Sequence, residues 1–103
     1  MAEGETLGDR IRRERLAKGM TQRELAEKVG VGVPHISKIE ATRESPSDEL
    51  LASIAKQLGV DADELFLAAR RLPAAIVEKL AADPAAGAEF LRSWPGSTKG
   101  KSR

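Results

Sequence analysis

Helix starts and helix stops follow one another so closely in this chain that only short helices fit between them. Thr21-Gln22-Arg23-Glu24 has the capping-box pattern, in which the threonine side chain serves the third helical amide and the glutamate reaches back to the cap. Gly19 stands just before it and Gly30 closes its far end, since glycine accepts the left-handed conformation that releases a helix C-terminus. Leu25, Ala26 and Val29 face inward on the helix so bracketed. Gly30-Val31-Gly32 leaves room for a tight turn only. Another helix follows over 33–41, with Ile36 and Ile39 on its inner side. Pro34 falls in its first turn, where the missing N–H would have no intrahelical partner anyway.

The same punctuation continues in both directions. Thr6 opens a first helix whose apolar stripe is Leu7, Ile11 and Leu16, with Arg10, Arg12, Arg13 and Arg15 around the rest. Ser45-Pro46-Ser47 starts a fourth helix through Leu50, Leu51, Ile54 and Leu58, closed by Gly59. Asp61-Ala62-Asp63-Glu64 reads as a second capping box, leading a fifth helix to about Arg71. β-Branched residues nowhere alternate over a useful length, which argues against strands. From Pro73 the composition shifts to alanine, proline, glycine and aliphatic residues, and Asp83-Pro84 suits the cap and first position of a restarted helix. Residues 95–103 hold nothing apolar to bury and are expected to form a disordered basic tail.

Several function classes drop out on composition. With no cysteine, disulfides, thiolate catalysis and cysteine-ligated metals are excluded. One histidine, His35, cannot by itself build a catalytic dyad or a metal site, and no cofactor is implied. No carboxylate pair, nucleophile–base pair or phosphate-cradling loop suggests an enzyme. Apolar runs such as Leu65-Phe66-Leu67-Ala68-Ala69 are far shorter than the roughly 18 residues of a membrane span, and the acidic N-terminus is no signal peptide. The expectation is a cytoplasmic protein that does not engage a membrane. Phe66, Phe90 and Trp94 are the only aromatic residues, too few for a single-strand stacking platform. Charge is spread unevenly: residues 1–46 carry +1, residues 47–98 carry −3 and the last five residues +3. Any DNA would therefore meet a local basic face.

Two short helices joined by a glycine-containing three-residue turn make a helix-turn-helix. Gln22 to Ala41 meets its steric demands, with Ala26 small at the close approach and Gly30 at the reversal. The chain resembles the lambda-repressor-like, or XRE-type, helix-turn-helix regulators. The resemblance is carried by Leu7 to Arg12, Met20 to Val31, Ile36 to Glu40, Ser45-Pro46-Ser47, Leu50-Leu51, Ile54-Ala55 and Leu58 to Val60. It implies an all-α fold: a five-helix DNA-binding domain over 6–71, followed by a helical extension over 72–94. Family members are usually homodimers that repress or activate transcription. Gly32 replaces the usual serine or threonine cap of the recognition helix, which weakens its start by a few tenths of a kcal/mol. Thr42 stands where the family most often has glycine, so the exit from that helix is expected to be strained or differently shaped.

The resemblance places base reading on Val33, Pro34 and Lys38. Lys38 suits the O6 and N7 acceptors of guanine, whereas Val33 and Pro34 offer only apolar contact, best matched to a thymine methyl. Much of the specificity is then expected from DNA shape. Gln22 and Arg43 look like phosphate clamps, with Thr42 and Ser37 as weaker contacts. His35 flanks the face as a further candidate for DNA contact, with surface packing as its default role. Arg15 and Glu40 occupy positions that often pair as a partly buried salt bridge in the family. Arg10, Arg12, Arg13 and Lys18 are read as a solvated helix face with at most one phosphate contact among them.

In the extension, Leu72, Ile76 and Leu80 are expected on one helical face and Phe90, Leu91 and Trp94 on another. They either pack on the chain's own fifth helix or form a homodimer interface, and two half-sites one helical turn apart favour the dimer. The extension is also weakly similar to tails of XRE-type regulators encoded beside a metallopeptidase that cleaves them. The leading expectation is a homodimeric repressor that places helix 33–41 in the major groove of double-stranded DNA at a palindromic operator. The alternative is an antitoxin that autoregulates through the helix-turn-helix and binds a toxin through residues 72–103.

Overall fold

The computed structural model describes residues 5–93. Seven helices follow one another: α1 (Leu7–Ala17), α2 (Gln22–Val29), α3 (Val33–Glu40), α4 (Asp48–Leu58), α5 (Ala62–Ala68), α6 (Ala74–Ala82) and α7 (Pro84–Arg92). No strand occurs among the described residues. The fold is all-α, and the chain divides after Arg71 into two compact units.

Local chemistry starts each helix of the first unit. Thr6 and Thr21 form reciprocal capping boxes with Asp9 and Glu24, and Ser47 caps α4. Asp61 departs from expectation. It accepts from the nearer amide of Asp63 at 2.8 Å, while the Glu64 carboxylate turns to Arg10 at 3.1 Å, so the capping box expected at Asp61 does not form. A charge-assisted bond to a guanidinium outcompetes a reach back to an exposed amide. Helix α5 also stops at Ala68, earlier than Arg71.

The five helices enclose one core of Ile11, Leu25, Ile36, Ile39, Leu51, Ile54, Leu58, Leu65 and smaller residues, with Phe66 at its edge. Leu16 is not part of it and stands 56% exposed. Five residues beyond Ile11, it lies roughly 140° around the helix, whereas Arg15 keeps the inward phase. The inward residues of α1 are Gly8, Ile11 and Arg15. A Cβ at Gly8 would run into the backbone carbonyl of Glu40 and lie 2.6 Å from that of Ile39, so α1 and α3 meet backbone to backbone.

All five helices end in paired backbone bonds of the Schellman type. In three the left-handed residue is Gly19, Gly30 or Gly59; in the other two it is Thr42, with φ +62°, after α3 and Arg70, with φ +61°, after α5. Arg43 N–H reaches the Lys38 carbonyl and Arg71 N–H reaches that of Phe66, closing these two ends.

The second unit is a helical hairpin. Asp83 caps α7 at Ala86 and Pro84 opens it. A Cβ at Gly87 would lie 2.8 Å from the Leu80 carbonyl oxygen, so α6 and α7 also touch through backbone. No residue of α6 is buried. A shallow apolar groove in this hairpin draws together Leu72, Val77, Leu80 and Leu91. Ile76 and Phe90, expected on two separate faces, do not line it, and Val77 takes the place given to Ile76. Leu72 precedes Pro73 at the helix cap, so its direction is not set by the helical phase that Ile76 follows. Trp94 and the expected tail over 95–103 lie outside the described residues. No described helix is long and apolar enough to cross a membrane.

Candidate nucleic-acid interface

Helix α3 is held from behind and open in front. Ile36 and Ile39 lock its inner side into the core. At its end, Glu40 accepts from Arg15 Nε at 2.6 Å and from Arg15 Nη2 at 3.0 Å. Arg15 Nη1 donates onward to the Met20 carbonyl at 2.7 Å. Both charged side chains are nearly buried, at 8% and 4% exposure. A bidentate guanidinium–carboxylate fork fixes orientation as well as distance, so the angle of α3 on α1 is set by geometry that apolar contacts alone do not supply.

Gln22, expected to clamp a phosphate, is joined to this pair. Its amide nitrogen donates to Glu40 Oε1 at 3.0 Å, which commits one of its two N–H groups and leaves the other. Around the same spot, Arg12, Gln22, Ser37 and Ala41 rim a small crevice floored by Arg15 and Glu40. Arg12 is exposed, as expected of a solvated face, and still borders this crevice. The signal available was its spacing, three residues before Arg15 on the same side of α1.

The front of α3 exposes Pro34, Ser37 and Lys38. Val33 is different: it is half-buried and packs against the core, so less of it is available to a base edge than of Pro34. The start of α3 at Gly32 has no side-chain cap. His35 Nδ1 lies 3.2 Å from Glu44 Oε1, tying the helix to the loop that follows. That loop begins at the left-handed Thr42, whose hydroxyl donates to the Thr6 hydroxyl at 3.2 Å, and continues through exposed Arg43.

Part of the positive charge is neutralised within the fold. Arg10 pairs with Glu14 and Glu64, Arg13 with Glu5 and Glu14, and Arg71 with Asp48. Burial works against the Arg10 cation, but its hydrogen bonds to Glu64 and Glu14 outweigh this and hold it above the ordinary arginine range. Arg12, Lys38 and Arg43 have no ion-pair partner among the described residues. Neutralised cations attract phosphate weakly, so the free positive charge near α3 is the charge that counts. No group of histidine, aspartate and glutamate among the described residues is arranged to hold a metal ion.

A helix-turn-helix family model matches residues 11–65. Over 96 residues the chain is 31% identical to the HTH-type transcriptional regulator DdrOP3 of Deinococcus deserti, covering 85% of this chain and 74% of that protein. The crystal structure of the clp gene regulator ClgR from Corynebacterium glutamicum superposes with a TM-score of 0.58 at 34% identity, covering 88% of this chain and 93% of that one. SinR, a master regulator for biofilm formation crystallised in complex with DNA, matches with a TM-score of 0.56 at 35% identity, covering 59% of this chain and 98% of the crystallised one. The chain spans 44% and 48% of the length of other curated relatives, about half of each.

Proposed function

The chain belongs to the lambda-repressor-like helix-turn-helix family, and from that premise we propose a homodimeric repressor that reads a palindromic operator in double-stranded DNA. It is a regulator of transcription rather than an enzyme. The observation that carries the reading is the exposed, unpaired Lys38 on α3 with unpaired Arg43 just beyond it, on a helix whose back is locked by the Arg15–Glu40 fork.

Residues 6–71 are the DNA-reading domain. Lys38 donates to a guanine in the major groove, and Pro34, with the exposed part of Val33, meets thymine methyls. So little hydrogen-bonding capacity leaves much of the discrimination to the shape and deformability of the central base pairs. Gln22, through its uncommitted N–H, and Arg43 set register on the phosphates, while His35 and Ser37 border the contact; Thr42, expected to join them, has its hydroxyl proton committed to Thr6 and its N–H to the Ile39 carbonyl. Residues 72–94 supply the two-fold contact. The support for this is the hairpin itself, in which Leu91 is 54% exposed beside the groove lined by Leu72, Val77 and Leu80. Apolar surface on so small a hairpin is more stable when covered. The protein works in the cytoplasm, where its DNA is.

Selection of duplexes from a random library, with Lys38→Ala as control, tests the reading together with the molar mass of wild type and Leu91→Asp in solution. Enrichment of a palindrome with half-sites about one helical turn apart, altered by Lys38→Ala, and a dimer that Leu91→Asp dissociates are expected. No enriched site, with a toxin or metallopeptidase held by residues 72–103, would replace it with the partner-binding alternative.

A further inference from the structure

The loop between α3 and α4 has a mechanical problem. It leaves α3 through Thr42 in a left-handed conformation that a β-branched residue adopts only under restraint. At its near end the restraints are the Arg43 N–H bond to the Lys38 carbonyl at 2.8 Å and the hydroxyl contact with Thr6. Past the His35–Glu44 contact, one side chain gathers three groups of the far end. Arg71 donates from Nη1 to Asp48 Oδ1 at 2.7 Å, and from Nη2 to the Pro46 carbonyl at 2.6 Å and to the Ser45 hydroxyl. Pro46 is buried, so its carbonyl needs a donor, and this guanidinium supplies one.

The clasp is itself anchored. Arg71 N–H bonds to the carbonyl of Phe66 at 2.9 Å, and Arg70 N–H to that of Leu67, across the left-handed turn that ends α5. Phe66 belongs to the core. A rigid body thus grips segment 45–48 on one side, α3 grips Thr42 and, through His35, Glu44 on the other, and Arg43 projects from the short span between them. Among the described residues its exposed guanidinium has no ion-pair partner to hold it.

We propose that Arg71 is a positioning residue for DNA binding, clasping Ser45, Pro46 and Asp48 so that the loop presents Arg43 to a backbone phosphate. The inference rests on the reading of Arg43 as a phosphate contact. Arg71 itself touches no DNA; it removes, before binding, the loop freedom that a phosphate contact would otherwise have to quench.

A double-mutant cycle on the full chain decides it. Affinity for the selected operator, or for a mixed-sequence duplex at low salt, is measured across a salt series for wild type, Arg71→Gln, Arg43→Gln and the double variant. Arg43→Gln is expected to weaken binding about tenfold and to lower the salt slope by about 0.9. Arg71→Gln is expected to do nearly the same, and the double variant to be no worse than Arg43→Gln alone, because the two act through one contact. If Arg71→Gln unfolds the domain, Asp48→Ala removes one arm of the clasp at an exposed side chain, and its smaller loss must likewise vanish in the Arg43→Gln background. Multiplying effects, or a second unit lost from the slope, would overturn the proposal by making Arg71 an independent contact. Wild-type binding by Arg71→Gln would overturn it too. An unaltered Arg43→Gln would instead bring down the phosphate reading of Arg43, and the inference with it.

Discussion

Replacing Glu40 by alanine takes a carboxylate out of a site where its side chain is 4% exposed and where it accepts three hydrogen bonds, two from Arg15 and one from Gln22. Arg15 keeps its bond to the Met20 carbonyl, but Nε and Nη2 are left facing a cavity with their charge unanswered. Breaking a buried pair from one side costs about 3–5 kcal/mol, far above the ~0–1 kcal/mol of an exposed pair. A domain of this size has roughly 3–10 kcal/mol in total, so Glu40→Ala should forfeit about a third or more of its stability. Urea titration followed by circular dichroism measures the loss. Because the pair is shielded from bulk ions, the loss should change little between 0.1 and 1 M salt, conditions that span a threefold change in Debye length. The double variant Arg15→Met/Glu40→Leu should recover at least about 2 kcal/mol of it, since neither charge then remains to be buried alone. A Glu40→Ala loss below about 1 kcal/mol, or one that salt halves, would refute the reasoning by showing the fork to be solvated.

Two other substitutions test the backbone geometry. Gly8→Ala puts a methyl group against the carbonyl oxygens of Ile39 and Glu40, backbone atoms that cannot swing aside; it should destabilise the domain by about 1–3 kcal/mol or more in a thermal melt, and a neutral result would mean that α1 and α3 do not approach so closely. Thr42→Gly relieves left-handed strain of about 1–2 kcal/mol and restores chain entropy of about 0.5–1 kcal/mol to the unfolded state, so the melting temperature should rise by a few degrees. A fall would show that the hydroxyl contact with Thr6 outweighs the strain.

What the sequence disclosed follows from the range of the interactions involved. Helix α2 was readable because both its ends are written in adjacent residues: Thr21 and Glu24 at the start, Gly30 at the stop. The Asp61 start was read from the same local pattern and went astray because Glu64 has a better partner 54 residues away in Arg10. Gly8 carried no local signal, since its lack of a side chain matters only where α3 arrives. Arg71 is the same kind of case: its clasp joins residues 23 to 26 positions apart, and nothing in an Arg-Arg pair after an alanine run announces it. Thr42 stood out against the family pattern, whereas Arg70 in the same conformation did not. In the extension, helical phase predicted the faces, but Leu72 lies ahead of the helix and the hairpin packs through Gly87, so the phase was the wrong ruler.

Stability and readout need not depend on the same contacts in this domain. Apolar burial is non-directional: Ile36 and Ile39 hold α3 against the core but resist a small slide or roll only weakly. The Arg15–Glu40 fork resists such motion strongly, because two parallel bonds at 2.6 and 3.0 Å tolerate neither rotation nor translation, and Gln22 ties α2 to the same carboxylate. An apolar replacement fills the space without restoring that restraint. Arg15→Met/Glu40→Leu should therefore fold about as stably as wild type yet bind the operator about tenfold more weakly, the size of effect expected when one shared restraint is lost. Equal stability together with equal affinity would show that packing alone fixes α3, and that the buried charges contribute nothing the DNA can sense.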